Sequence, residues 1–191
     1  AACSRGHHVW VAYDRPPQNT QFIYDLCANG GNLTSLSLQR GWDLGFLIRL
    51  HRLVRSAGID VVHSYFSPAC HYAMFYCRLA SIRARVRTAT NMPLMTRASQ
   101  HEITPWFRTH YAARQRLYAW FPKKIIVRSD AMKEEYLSLG VPAGKLVLIR
   151  GNVDCEFFTP WNEQGRTRIR NEFGIKDDQF LVGSLTRLVP M

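Results

Sequence analysis

The chain has 191 residues, 47% of them hydrophobic, with ten Phe, eight Tyr and five Trp; that is apolar surface for one full domain, or one domain and part of another, and excludes a disordered polypeptide. Twelve Gly and nine Pro in mixed sequence exclude collagen-like and coiled-coil classes, and the longest uncharged run, Val61 to Cys77, contains two His and Pro68 and so does not read as a membrane span. The net charge is +11, and eleven of the 25 Lys and Arg lie between Arg78 and Arg128 with Glu102 as the only acid there, so one region carries nearly all the excess.

Short runs rich in Val, Ile and Leu, bounded by Gly, Pro, Asn or Asp, predict strands at His8–Asp14, Leu33–Leu38, Asp60–Tyr65, Arg83–Thr90, Lys124–Ser129, Lys145–Arg150 and Phe180–Leu185. Continuous apolar runs such as Ile125-Ile126-Val127 imply strands covered on both faces. Helical spacing appears over Leu44–Ser56, Pro68–Ala80, Pro105–Phe121, Ala131–Leu139 and Asn162–Phe173. Their punctuation agrees: Pro105 suits a first helical turn, Ser129 or Asp130 can cap the fourth helix, and Gly58, Gly140 and Gly174 follow three of the helix ends. No helix is predicted between the first two strands.

Strand–helix alternation implies parallel strands joined by crossovers, hence an α/β fold with a doubly wound, mostly parallel, Rossmann-like sheet. Residues 1–154 read as one such domain, 155–165 as a linker, and 166–191 as the start of a second Rossmann-like domain. Both ends read as cuts: there is no initiator Met or signal peptide, and a terminal strand at Phe180–Leu185 needs neighbours to satisfy its edge. The expectation is a fragment of a longer protein, poorly soluble and inactive by itself. In doubly wound sheets ligands bind beyond the carboxyl ends of the strands, where this chain places Arg15, His63, Tyr65, Asn91, Ser129 and Asn152.

Several chemistries are disfavoured. The chain has no Walker-type phosphate loop and no GxGxxG, and Gly30-Gly31 precedes a strand instead of joining strand to helix. GxSxG is absent. Five cysteines without a CxxC pair argue against a disulfide framework or a structural zinc, and read as buried thiols in a reducing compartment.

The residues do resemble a family. Asp60-Val-Val-His63 is similar to the Asp-Ile/Val-Val-His strand of glycosyltransferase family 4, the retaining enzymes of the GT-B fold. Arg5-Gly-His-His-Val-Trp-Val resembles that family's second strand. Lys124-Ile-Ile-Val-Arg-Ser-Asp, then Gly140-Val-Pro and Gly151-Asn-Val-Asp154-Cys-Glu-Phe-Phe-Thr-Pro160, resemble the segment leading out of its N-terminal domain. Phe173-Gly-Ile and Val182-Gly-Ser-Leu-Thr-Arg187-Leu-Val-Pro190 resemble the opening of its second domain.

The resemblance implies the acceptor-side half of an enzyme that moves a sugar, with retention, from a nucleotide sugar to a glycan or to a lipid-linked or phosphorylated acceptor. Arg187, with Thr186 beside it, would meet the donor diphosphate. Arg15, His63, Tyr65, Asn91, Ser129 and Asn152 would line the acceptor side. No metal and no cofactor besides the donor is expected. The sequence also departs from the family pattern. Gly151-Asn152 inverts the usual Asn-Gly, Thr186 replaces a Gly, and Asn91 stands where a His is frequent; Asn can hydrogen-bond a sugar hydroxyl but cannot titrate.

Competing readings are a non-transferase GT-B relative such as a sugar-nucleotide epimerase, and a basic nucleic-acid-binding α/β domain. The second is disfavoured, because the aromatics of the basic region recur at helical spacing and no recognised motif accompanies them. The basic region, through Arg108, Arg114, Arg116, Lys123 and Lys124, is expected to face an anionic membrane surface or an anionic acceptor. The expected location is cytoplasmic, peripheral at the inner face of the membrane.

Overall fold

The computed structural model describes residues 5–13, 20–36, 43–65, 69–90, 92, 94, 104–151, 155–156, 159, 162–176 and 178–183. Two compact units are distinguished, Ala1–Arg150 and Gly151–Met191. In the first, the elements run β1 (Trp10–Tyr13), α1 (Thr20–Ala28), β2 (Asn32–Ser35), α2 (Leu44–Ser56), β3 (Val61–Ser64), α3 (Ala69–Leu79), β4 (Ala84–Thr88), α4 (Pro105–Trp120), β5 (Lys124–Val127), α5 (Asp130–Ser138), a 3-10 turn (Ala143–Lys145) and β6 (Leu146–Leu148). All pairings are parallel: β1 with β2, and a four-stranded sheet in the order β3-β4-β5-β6. The expected α/β architecture with parallel, Rossmann-like sheets is what the chain adopts.

The local reasons match the sequence. The Asp43 carboxylate accepts from Phe46 N at 2.9 Å and starts α2, which buries Phe46, Leu50 and Val54 at a spacing of four. Thr104 caps α4 with Pro105 in its first turn, and Ser129 caps α5 by accepting from Met132 N at 3.1 Å. Gly140 ends α5 with φ +80; a Cβ there would also lie 2.3 Å from Arg116 Nε, which donates to Leu139 O at 3.0 Å. The left-handed backbone is what requires glycine here, since the Arg116 side-chain end could move aside.

Two apolar clusters hold the unit. One joins Ile125, Val127, Met132, Tyr136, Val141 and Leu146 with Ala89 and Ala119; the other joins Leu36, Phe46, Leu50, Val54, Cys77 and Ile82. Each large side chain so buried contributes roughly 1.5–3 kcal/mol.

Four expectations require correction. Helix α1 is present where none was predicted: it is nine residues long and, among its described side chains, only Ile23 and Leu26 are partly buried. The strands are not covered equally on both faces. Alternation and register put Val62, Ser64, Arg85, Arg87, Ile125 and Val127 on the covered face, whereas Val61 on the other is 62% exposed and Ile126 only half-buried. Of the four described cysteines only Cys77 is buried, its thiol pushed up to about 12 by burial; Cys27 and Cys155 are exposed.

The last correction concerns the second unit. Phe180–Gly183 is irregular and exposed, Phe180 at 94%, with no strand pairing among the described residues, because an apolar run becomes a strand only when a neighbour takes its hydrogen bonds. That unit's helix α6 (Glu163–Glu172) starts at Asn162, whose side chain accepts from Gly165 N at 2.8 Å. Buried Arg170 donates to Lys176 O and, at 2.9 Å, to Gln179 O, tying the following turn to the helix.

Candidate functional site

Because β3, β4 and β5 are parallel, their carboxyl ends share one edge. His63 and Tyr65 end β3, Thr88 ends β4, and Ser129 follows β5. His63 Nε2 lies 2.7 Å from Thr88 Oγ1, and its ring meets Tyr65 edge-on at 5.3 Å. Burial pushes the imidazole pKa below its ordinary value, so His63 is neutral at pH 7 and offers a hydrogen bond instead of a charge. The Ser129 hydroxyl is already used in capping α5.

The covered face of the same edge holds a second polar group. Arg87 is 9% exposed and donates from Nη2 to Tyr136 OH at 3.2 Å and to Gln115 Oε1 at 3.5 Å; Gln115 donates to Tyr111 OH at 2.6 Å. Glu135 Oε1 accepts from Leu94 N at 3.0 Å, holding Leu94 against α5. His71 on α3 stacks on Tyr118 with ring centroids 3.8 Å apart; burial, then Arg87 and Arg114, push its pKa down to about 4. Arg85 donates to Phe121 O at 3.0 Å and to Ile82 O. Arg85 and Arg87 are therefore internal donors and do not belong to a solvent-facing basic surface, which corrects the reading of the basic stretch.

A family profile described as Glycosyltransferase Family 4 covers residues 1–157. The chain belongs to that family. No curated protein sequence matches this family 4 chain. Its fold is similar to a glycosyltransferase from Rickettsia africae ESF-5, with TM-score 0.61 and 14% identity over 93% of this chain and 45% of that one. It is also similar to Anabaena Alr3699/HepE, solved with UDP (TM-score 0.58) and with UDP-glucose (TM-score 0.55), each at 16% identity over 86% of this chain and 42% of that one. The chain spans less than half the length of these structures.

Within the family 4 chain, His63, Tyr65 and Ser129 fall on one edge, as their positions after the strands imply. Arg15, Asn91, Asn152, Thr186 and Arg187 lie outside the described residues. Among the described residues no group of three or more His, Cys, Asp or Glu could hold a metal ion. Thr88 was missed because only the β3–β4 register reveals it. Arg87, Gln115 and Tyr136 were missed because a basic residue in a strand reads as solvated; the available signal was the i, i+2 pair Arg85 and Arg87 on one strand face.

The five surface cations do not gather at this edge. Arg108, Arg114 and Arg116 are on α4, while Lys123 precedes and Lys124 opens β5, so both lie at the opposite, amino edge of the sheet. All five are exposed, yet Lys124 Nζ donates to Gly144 O at 2.7 Å and Arg114 lies 5.2 Å from the centre of the Tyr111 ring. Lys145 closes the end of α4, donating to Ala119 O at 2.6 Å and Pro122 O at 2.9 Å. Lys145→Met keeps the stem and removes these charge-assisted bonds, so it is expected to cost about 1–2 kcal/mol. Urea denaturation checks this; an unchanged midpoint would refute the capping role.

Proposed function

We propose that the protein is the acceptor-side half of a retaining glycosyltransferase that moves a sugar from a nucleoside diphosphate donor to a hydroxyl of a glycan or of a lipid-linked or phosphorylated acceptor. The observation that carries this is the family match over residues 1–157. Neutral His63, oriented by Thr88, and Tyr65 beside it suit hydrogen bonding to an acceptor hydroxyl. In this reading Arg15, Asn91, Ser129 and Asn152 line the same side, and the Arg187 guanidinium beside Thr186 meets the donor diphosphate without a metal. The UDP and UDP-glucose bound to the Anabaena neighbour make UDP-sugars the first donors to try. The test is release of nucleoside diphosphate by the full-length protein from a panel of nucleotide sugars, with acceptors varied. Release from none of them, with any acceptor, would end the transferase reading.

In this proposal the enzyme works in the cytoplasm at the inner face of an anionic membrane. No described helix is long and apolar enough to cross a membrane. The outward side of α4 carries Trp106, His110, Ala113, Leu117 and Trp120 at steps of four and three residues, with Trp106 at 69% and Trp120 at 54% exposure. Arg114 and Arg116 flank this stripe, and Arg78 lies 3.7 Å over the Trp120 ring. An apolar stripe bordered by cations suits a helix lying in a headgroup layer, where each basic residue contributes on the order of 1 kcal/mol. Anionic vesicles should therefore bind the protein and neutral ones should not, and Arg108→Glu with Arg116→Glu should weaken binding at least about tenfold. Equal partitioning onto both vesicle types in co-sedimentation would exclude this surface.

A further inference from the structure

Helix α2 presents a second stripe of the kind that α4 carries. Its buried side chains, Phe46, Leu50 and Val54, leave the opposite side to Leu44, Ile48, His51 and Arg55, at steps of four, three and four residues. Leu44 is 71% exposed and Ile48 45%, so packing within the unit does not account for them. Arg52 is exposed beside them, whereas Arg49 is engaged by the Asp43 carboxylate at 3.4 Å. The two stripes meet the same helix. His51 Nδ1 lies 2.5 Å from Tyr76 OH on α3, and Arg78, two residues on, covers the Trp120 ring of the α4 stripe. Positions two apart on a helix point to opposite flanks, so one stripe lies on each side of α3, whose last residue, Leu79, is exposed. Together α2, α3 and α4 carry seven Arg and no Asp, Glu or Lys. Acids return on α5, with Asp130, Glu134 and Glu135.

We infer that α2 and α4 form one contact face for an anionic bilayer, with Leu44 and Ile48 entering the headgroup layer and Arg52 and Arg55 meeting lipid phosphates. The membrane reading of α4 underlies this assignment, and α2 adds a second line of attachment. Charge decides the occupant. A second copy docked through this face would set arginines against arginines, since a two-fold contact pairs a patch with itself. A nucleic-acid backbone would answer the arginines and leave the exposed Leu and Ile uncovered. A headgroup layer over acyl chains answers both. Packed helices lie about 8–10 Å apart, which puts the two stripes roughly 16–20 Å from each other. Two lines of attachment at that separation fix the roll of the domain on the surface, which a single helix does not.

Co-sedimentation of the full-length protein with vesicles of phosphatidylglycerol and phosphatidylcholine, and of phosphatidylcholine alone, tests the face. Arg52→Gln with Arg55→Gln should weaken binding to the anionic vesicles at least about tenfold. Leu44→Ser with Ile48→Ser should weaken it about fivefold or more at unchanged charge. Arg166→Gln with Arg168→Gln on α6 removes the same charge from another surface and should leave binding as in the wild type. All six positions are exposed, so circular dichroism of each variant should match the wild type; should the serine pair fail to fold, the glutamine pair on α2 decides. Wild-type binding in either α2 variant would overturn the face as assigned and leave α4 as the membrane helix. Equal weakening by the α2 and α6 charge variants would reduce the effect to net charge and overturn it too. No binding of the wild type to the anionic vesicles would overturn both this face and the membrane reading of α4. A change from dimer to monomer on Leu44→Ser with Ile48→Ser would assign the stripe to a second copy and overturn the bilayer as its occupant.

Discussion

Acidification from pH 6.5 to pH 4 is expected to cost the folded protein about 3 kcal/mol through His71 alone. The ring stacks on Tyr118 under α4, where burial first, and then Arg87 on β4 and Arg114 on α4, disfavour the imidazolium. A depressed folded-state pKa means that the native protein holds the neutral ring while the unfolded chain takes up a proton. The contribution is therefore complete above the ordinary value of 6.5 and is lost as pH falls towards about 4. Carboxylates titrate over part of the same range, so the informative measurement is a comparison. His71→Phe keeps a flat ring on Tyr118 and removes the titration; urea unfolding of both proteins at pH 7 and pH 4 isolates the difference. Equal loss of stability in the two proteins would show that His71 charges freely in the fold. His63, whose ring is part-buried against Thr88, follows the same sign.

Arg187→Ala in the full-length enzyme is expected to lower kcat/KM by roughly 2–4 kcal/mol of transition-state stabilisation. In the proposed reaction the departing nucleoside diphosphate gains negative charge as the glycosidic bond breaks, and a guanidinium can meet two of its oxygens at once. Arg187→Lys should recover only part of the loss, since an ammonium supplies a point charge without the planar fork. An alanine variant with wild-type kcat/KM would remove Arg187 from the reaction. The effect should appear with any acceptor, which separates it from substitutions at His63 or Tyr65.

The basic stretch shows how burial reassigns residues of one type. Between Arg78 and Arg128, Arg85 supports the loop at Phe121, Arg87 organises a buried polar cluster, Arg116 closes the end of α5, and Arg78 covers the Trp120 ring. The excess charge of the sequence is thus divided between structural donors and a helix surface, and no longer describes one patch.

The alternation of strands and helices, Pro105 in the first turn of α4, the cap at Ser129 and the stop at Gly140 were all legible in the sequence, because each depends on residues within a few positions of one another. So was the placing of His63, Tyr65 and Ser129 after consecutive parallel strands. Helix α1 was not, since its nine residues carry little period. Nor was any strand partner for Phe180–Gly183 something that its apolar composition could supply. The contact of His63 with Thr88, and of Arg87 with Tyr136 across 49 positions, arises only when register and helix packing bring distant segments together. Local propensity specifies elements and their order, whereas the partner of a polar side chain, and whether it is wet or dry, is decided by non-local packing.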